Sequence, residues 1–168
     1  MMKIEREIGV GKHCVYIYYF PSSASGARWP CKVGRAKHHP ESRIKQQQAS
    51  MQEEPVIGLL LHTDDPILLE SLIHARYRSQ QLATYGREWF MLNPATVAAE
   101  AADGQFPDLA LHEQLRVLRR RRNLTQTQLA RLAGLRQATI SEIESGEDAM
   151  LSTLNKVLAV LQGKLAIL

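Results

Sequence analysis

Between Leu124 and Gly146 the chain reads L-T-Q-T-Q-L-A-R-L-A-G-L-R-Q-A-T-I-S-E-I-E-S-G, a stretch that admits little besides two short helices meeting at a tight turn. Thr125 stands where its hydroxyl can accept a bond from an orphan backbone N–H, and Leu129, Leu132 and Ala133 then recur at helical spacing. Gly134 can adopt the left-handed backbone that stops the first helix, and Leu135 supplies an apolar plug before a second helix opens at about Arg136. That helix turns Ile140 and Ile143 inward. Arg136, Gln137, Thr139 and Ser141 are left on its other side, with side chains of the kind that reach phosphates and base edges in a major groove.

Glutamine at the start of the first helix (Gln126), A-x-x-A-G-L in the turn and T-I-S-x-I-E-x-G in the second helix resemble the helix-turn-helix of phage-repressor-like regulators. R-Q-A-T-I-S followed by L-S-T-L-N-K-V-L-A-V-L is similar to HipB-like antitoxin repressors of the XRE class. The resemblance covers about the last third of the chain. It implies double-stranded DNA as partner, with Gln126, Arg136, Gln137, Thr139 and Ser141 in the interface.

The charge distribution agrees. The chain of 168 residues has a formal net charge of +4, yet basic and acidic residues are equal in number up to Asp108, so the whole excess falls on the part that carries this stretch. Arg119, Arg120, Arg121 and Arg122 lead directly into the helix pair, and phosphate contact is their expected role, against the plainer alternative of a solvated helix end. No run is long and apolar enough for a membrane span and Met1–Gly11 carries charges where a signal peptide is greasy, so the expectation is a cytoplasmic protein. Cys14 and Cys31 are too few for a disulfide framework, and no C-x-x-C or H-x-x-x-H pair accompanies His13, His38 and His39; both cysteines read as small core residues.

Taken in order, Met1–Lys12 is a polar lead-in with the pattern of an edge strand. Cys14–Phe20, crowded with β-branched and aromatic residues, predicts a buried strand stopped by Pro21. Trp29–Arg35 predicts its hairpin partner, ended by Gly34. A helix is expected from about Pro40 through Arg43 and Ile44, then a third strand over Pro55–His62. Asp64 or Asp65 should cap a helix from Pro66 to about Gln81 with Leu68, Leu72 and Ala75 inward. Arg87–Leu92 reads as a short strand, the alanine-rich stretch to Ala102 as a closing helix, and D-G-Q-F-P-D at Asp103–Asp108 as a domain boundary. Leu111, Leu115 and Leu118 mark the first helix of the second domain, and Leu154, Val157, Leu158 and Leu161 its last.

Two strands, a helix with an arginine, a third strand and a helix with a glutamate follow one another in the order of the GIY-YIG nuclease fold. V-Y-I after Cys14 stands where that family has G-I-Y, K-V-G at Lys32–Gly34 stands for Y-I-G, and Arg43 and Glu70 lie in the two helices. E-x-x-x-H at Glu70–His74 and E-W-F at Glu88–Phe90 resemble the phage-derived branch of the superfamily. The match spans Val15 to Leu92. By resemblance, Tyr16 would position or deprotonate the attacking water, Arg43 would hold transition-state oxygens with its guanidinium fork, and Glu70 would hold one Mg²⁺. His74, one helical turn from Glu70, would orient it or meet substrate. Each residue has a plainer alternative: Tyr16 as a core aromatic, Glu70 and His74 as a helix-surface pair, Glu88 as an ion-pair partner of Arg87 or Arg43. Lys32 replaces the family's second tyrosine, which puts full activity in doubt, although its ammonium can still bring positive charge to a phosphate.

The expected architecture is therefore an α+β GIY-YIG-like domain over 1–102, a linker over 103–110 and a small all-α helix-turn-helix domain over 111–168. The expected function is sequence-specific DNA binding joined to Mg²⁺-dependent cutting or nicking. Its rivals are a non-enzymatic transcriptional repressor and a HipB-like antitoxin-type autorepressor whose first domain engages a partner protein. A homodimer through the C-terminal domain is expected because one helix-turn-helix reads one half-site, and the apolar tail Lys164–Leu168 offers an edge for pairing.

Overall fold

In the computed structural model, residues 1–47, 53–102 and 109–162 are described, and the chain divides into two compact units, Met1–Pro107 and Asp108–Leu168. The expected linker core Asp103–Asp108, the residue Gln48, the helix stop at Gly163 and the tail Lys164–Leu168 lie outside the described residues.

The first unit is built on the strand expected from C-V-Y-I-Y-Y, which is β2, His13–Tyr19; the short β1, Glu7–Gly9, precedes it. Unlike a strand with one wet side, β2 buries both its faces. Val15, Ile17 and Tyr19 join one core, while Cys14, Tyr16 and Tyr18 join another on the opposite face. Two neighbours make that possible: β3, Trp29–Ala36, and β4, Val56–Thr63, both antiparallel to β2. β1 adds to β4 in parallel and β5, Trp89–Leu92, adds to β3 antiparallel, completing a mixed sheet in the order β1-β4-β2-β3-β5. The lead-in is thus an edge strand, with Met2 buried beneath it in the Tyr16 core.

The two faces take different helices. Helix α1, Glu41–Gln47, sinks Ile44 into the Tyr16 side. Helix α2, Pro66–Arg76, and helix α3, Pro94–Ala102, cover the other with Ile73, Val97 and Ala98. Asp65 caps α2 by accepting the Leu68 N–H at 3.0 Å. This helix departs from expectation in two ways. It ends at Arg76, with a 3-10 turn over Arg78–Gln80 instead of continuing to Gln81, and its buried residues are Glu70 and Ile73, with Leu69 packed beside them, rather than Leu68, Leu72 and Ala75. With Ile67, Leu68, Leu69, Leu72 and Ile73 all apolar, periodicity could not select a face. The last strand starts at Trp89 instead of Arg87. Cys14 and Cys31 fall on opposite faces of the sheet and cannot share a site.

The second unit holds α4, Leu111–Arg121, α5, Gln126–Ala133, α6, Gln137–Ser145, and α7, Leu151–Val160. Thr125 caps α5 in a reciprocal box: its hydroxyl accepts from the Gln128 N–H at 3.1 Å, and the Gln128 side chain accepts from the Thr125 N–H at 2.8 Å. Gly134 ends α5 at φ 65°, a conformation that favours glycine, and Arg136 is the cap of α6 rather than its first residue. Leu115, Leu129, Ala130, Ile140, Ile143, Val157, Leu158 and Leu161 form the core. Leu132, expected inward, is 61% exposed. At 100° per residue, 126, 129, 130 and 133 share one arc of α5 and Leu132 falls outside it.

One carboxylate ties the unit together. Glu144 of α6 is 2% exposed and receives Arg119 of α4 in fork-to-fork fashion, Nε to Oε1 at 2.6 Å and Nη2 to Oε2 at 2.8 Å, while Gln126 of α5 donates to Oε2 at 3.0 Å. Burial by itself would raise the Glu144 pKa, but the bonds from Arg119 and Gln126 and the Arg119 charge outweigh it and hold the carboxyl below its ordinary range. A carboxyl whose folded pKa is depressed stabilises the fold above its unfolded pKa and loses that contribution as pH falls through the folded value. We expect the helical signal of this unit, followed by circular dichroism, to weaken in acid below the ordinary carboxylate range. Glu144→Ala should cost about 3 kcal/mol at neutral pH by stranding Arg119.

Candidate functional site

In the first unit the candidate side chains Tyr16, Arg43 and Glu70 converge where the sheet stops. β5 pairs with β3 only from Trp29 to Lys32, so the edge of β3 at Gly34–Ala36 has no β5 partner; the carbonyl of Glu88, just ahead of β5, accepts the Val33 N–H at 2.9 Å. Tyr16 sits opposite Gly34 in the β2–β3 register, and its ring passes directly over that residue: a Cβ on Gly34 would stand 2.7 Å from the Tyr16 hydroxyl. Only glycine permits this approach. From α1, Arg43 brings its exposed guanidinium to hydrogen-bond the Tyr16 hydroxyl.

Glu70 arrives from the opposite face on α2. Its carboxylate is 3% exposed and paired with the guanidinium of Arg35, which is partly open to solvent. The residue alternation of β3 explains the pairing: Cys31, Val33 and Arg35 point to the α2 side, whereas Lys32 and Gly34 lie on the Tyr16 side. Glu70 and Glu88 are near enough for their charges to be felt at the Tyr16 hydroxyl. Burial, chiefly, and those two carboxylates raise the Tyr16 pKa, against a lowering by Arg43. The hydroxyl is therefore a proton donor at neutral pH, suited to positioning rather than to abstracting a proton.

Tyr16, Arg43 and Glu70 are thus brought to one strand edge. His74 is placed differently, its ring against that of Phe90 with centroids 4.9 Å apart. Lys32 is not directed at an open phosphate position: its ammonium pairs with Glu88 at 3.4 Å and donates to Gln47 Oε1 at 2.7 Å. Glu88 therefore pairs with Lys32 rather than with Arg87 or Arg43. Arg35 is the residue the sequence reading missed. Its signal was its register, since an arginine two places beyond buried Val33 faces the same interior and requires an anion there.

For a divalent cation the donor set is spare. No group of three or more acidic, histidine or cysteine side chains is gathered among the described residues, so Glu70 would be the single protein carboxylate, which suits Mg²⁺ with its retained waters. One Glu70 oxygen is already held by Arg35, which would have to share it.

In the second unit, α6 presents Arg136, Gln137 and Ser141 to solvent, with Thr139 half-buried between them. Gln137 donates to Gln126 Oε1 at 2.8 Å, and Gln126 is in turn anchored on buried Glu144, so the two glutamines form one braced unit across the helix pair. Arg119 is corrected from phosphate grip to internal clamp: it is committed to Glu144 and donates a further bond to the Leu124 carbonyl at 2.7 Å. Arg122 donates to the Leu118 carbonyl at the end of α4, and Arg121 is exposed. Arg120 is half-buried.

Comparison with known proteins gives each unit a relative. Residues 13–103 match the family model described as T5orf172 domain, and residues 115–168 match the one described as Helix-turn-helix. The second unit is thus a helix-turn-helix domain of the DNA-binding class, with α5 and α6 as its helix pair. A curated protein of Mycobacterium tuberculosis, named as a putative antitoxin HigA2, is 45% identical over 56 residues, covering 32% of this chain and 55% of its own length. The chain thus spans about half the length of that relative. A solved complex of a HipB variant with an O2 20mer aligns with 38% of this chain and 94% of its own at 28% identity and a TM-score of 0.34. No helix among the described residues is long and apolar enough to cross a membrane.

Gly34→Ala tests the geometry of the strand edge. The new methyl meets a ring that is fully buried and cannot swing away, so we expect a loss of about 1–3 kcal/mol in chemical denaturation and a displaced Tyr16, visible as a changed tyrosine environment in near-UV circular dichroism.

Proposed function

This chain belongs to the T5orf172 domain family, and from that membership we propose that it is a DNA-binding protein whose first unit cuts or nicks DNA in the manner of GIY-YIG nucleases. The observation that carries this reading is the meeting of the Tyr16 hydroxyl, the Arg43 guanidinium and the Arg35–Glu70 pair at the unpaired edge of β3. Phosphodiester cleavage needs a positioned water, cations for the charge that grows on phosphorus, and help for the leaving oxygen. Tyr16 donates a hydrogen bond that orients the nucleophile or a phosphate oxygen. Arg43 presents its fork to the phosphate. Glu70 would hold Mg²⁺, which supplies Lewis-acid stabilisation when bound. The helix-turn-helix selects the site, with Gln137 and Thr139 reading bases and Arg136, Arg120, Arg121 and Arg122 gripping phosphate. Two copies acting as a homodimer would read a two-fold site.

A second reading has its own support. The 45% identity over 56 residues to a putative antitoxin supports an autorepressor, and in that reading the first unit would bind a partner without cutting. Glu70→Gln decides between them: under the nuclease reading it removes Mg²⁺-dependent cleavage of duplex and single-stranded DNA by about 100-fold or more while the circular dichroism spectrum is retained. Wild-type protein that leaves every such substrate intact would favour the repressor. Gln137→Ala should lower the preference for the natural operator over random duplex by tenfold or more, measured by fluorescence anisotropy. An equal weakening on both DNAs would remove Gln137 from base reading.

A further inference from the structure

Beside the Tyr16 edge lies a set of aromatic rings that the phosphodiester chemistry does not use. Tyr18 follows Tyr16 on the same side of β2, with ring centroids 6.2 Å apart and planes 19° off parallel. Trp89 opens β5 opposite Lys32, which is itself opposite Tyr18, so the three occupy one row across the sheet; the Tyr18 and Trp89 centroids are 5.8 Å apart. Phe20 lies nearly parallel to Trp89 at 6.4 Å and 18°, and Tyr85 closes on it at 5.9 Å. Tyr16 and Tyr18 are buried, but Phe20 and Trp89 are half-buried and Tyr85 is 61% exposed.

An exposed tyrosine on a loose loop would need no explanation. This one is held. Leu82 donates its N–H to the Trp89 carbonyl at 2.8 Å, Tyr85 to the Leu82 carbonyl at 2.9 Å and Gly86 to the Ala83 carbonyl at 3.3 Å, so the turn that carries Tyr85 is bonded back to the strand that carries Trp89. The result is a fixed aromatic surface close to exposed cations: Arg87 sits in the same turn, and Arg43 lies at the Tyr16 hydroxyl, where the Glu88 carboxylate next to Trp89 is also felt; Lys32, in the same row, is held internally by Glu88.

Rigid half-exposed rings beside a phosphate-seeking cluster are what an unpaired base requires, because every base has a face to stack and a backbone to neutralise. A base inside a duplex offers its edges but not its face. We propose that Phe20, Tyr85 and Trp89 form a stacking platform for an unpaired nucleobase of a DNA strand, next to the phosphate held at Tyr16 and Arg43. The proposal deepens and rests on the nuclease reading: the substrate of that site is a single-stranded or flipped-out nucleotide, whereas the helix-turn-helix binds duplex.

The test uses the full chain with Trp29→Phe, which leaves Trp89 as the only tryptophan. Oligo(dT) and a blunt duplex are titrated without metal while Trp89 fluorescence is read. Oligo(dT) should quench it. Adding Tyr85→Ala should weaken oligo(dT) binding about tenfold, Tyr85→Phe should restore it, and duplex binding should be the same in all three. Unchanged Trp89 fluorescence on oligo(dT) addition, wild-type affinity in Tyr85→Ala, or a duplex response with the same dependence on Tyr85 would each overturn the platform. Cleavage with Mg²⁺ is scored separately: protein that binds oligo(dT) through Tyr85 and cuts nothing keeps the platform and ends the nuclease reading.

Discussion

Burial of β2 on both faces is the constraint on which the first unit depends. A strand with one wet side needs a single covering layer; β2 has Val15, Ile17 and Tyr19 to hide on one side and Cys14, Tyr16 and Tyr18 on the other, so it must lie inside the sheet with helices on both faces. Each fully buried Ile or Leu contributes about 2 kcal/mol, and the two cores together fix the sheet order. That order then places the candidate site. Because α1 and α2 sit on opposite faces, Arg43 and Glu70 can meet only around an edge, and the edge available is where β5 stops short along β3.

The two buried carboxylates named among the described residues show how similar ion pairs serve different ends. Glu144 is held chiefly by Arg119, whose side chain is only 12% exposed and forks onto both oxygens with Gln126 beside it, while Arg116, 39% exposed, stands farther off at 3.9 Å. Removing water from such a pair is costly, and the cost is offset only when the remaining lone pairs are satisfied, as they are here. Arg35, which serves Glu70, is 32% exposed and stands at the strand edge. An arginine in that position can be reached by an anion from solvent. The Arg119 pair orders a helix unit, while the Arg35 pair leaves a charge partly open to solvent at the strand edge.

Local patterns in the sequence carried the elements, and partners across elements were what it hid. The strand at Cys14–Phe20, the cap at Thr125 and the turn at Gly134 are each set by a few adjacent residues, so they could be read directly. The inward face of α2 could not, because apolar residues surround that helix and only the sheet chooses among them. Lys32 with Glu88 depends on the β3–β5 register, and Glu70 with Arg35 on which side of β3 faces α2. Both pairs lie in tertiary pairing that no spacing rule encodes. Arg119 was legible in part. It stands four residues after Leu115, hence on the buried side of α4, which separates it from the exposed Arg121 in the same run.

The ionisation of Tyr16 limits what it can do at a phosphate. Burial and two nearby carboxylates favour the neutral hydroxyl, and a phosphodiester entering the edge adds further negative charge in the same direction. Arg43 opposes that shift but does not reverse it. A neutral phenol keeps its proton and gives a hydrogen bond, so under the proposed nuclease reading Tyr16 would act by fixing the direction of the atom it touches. The close approach over Gly34 serves that purpose, since a ring with no room to rotate holds its hydroxyl in one place. In this arrangement glycine in K-V-G has a steric role that is independent of the residue two places before it, and Lys32 in place of tyrosine leaves the positioning of Tyr16 intact.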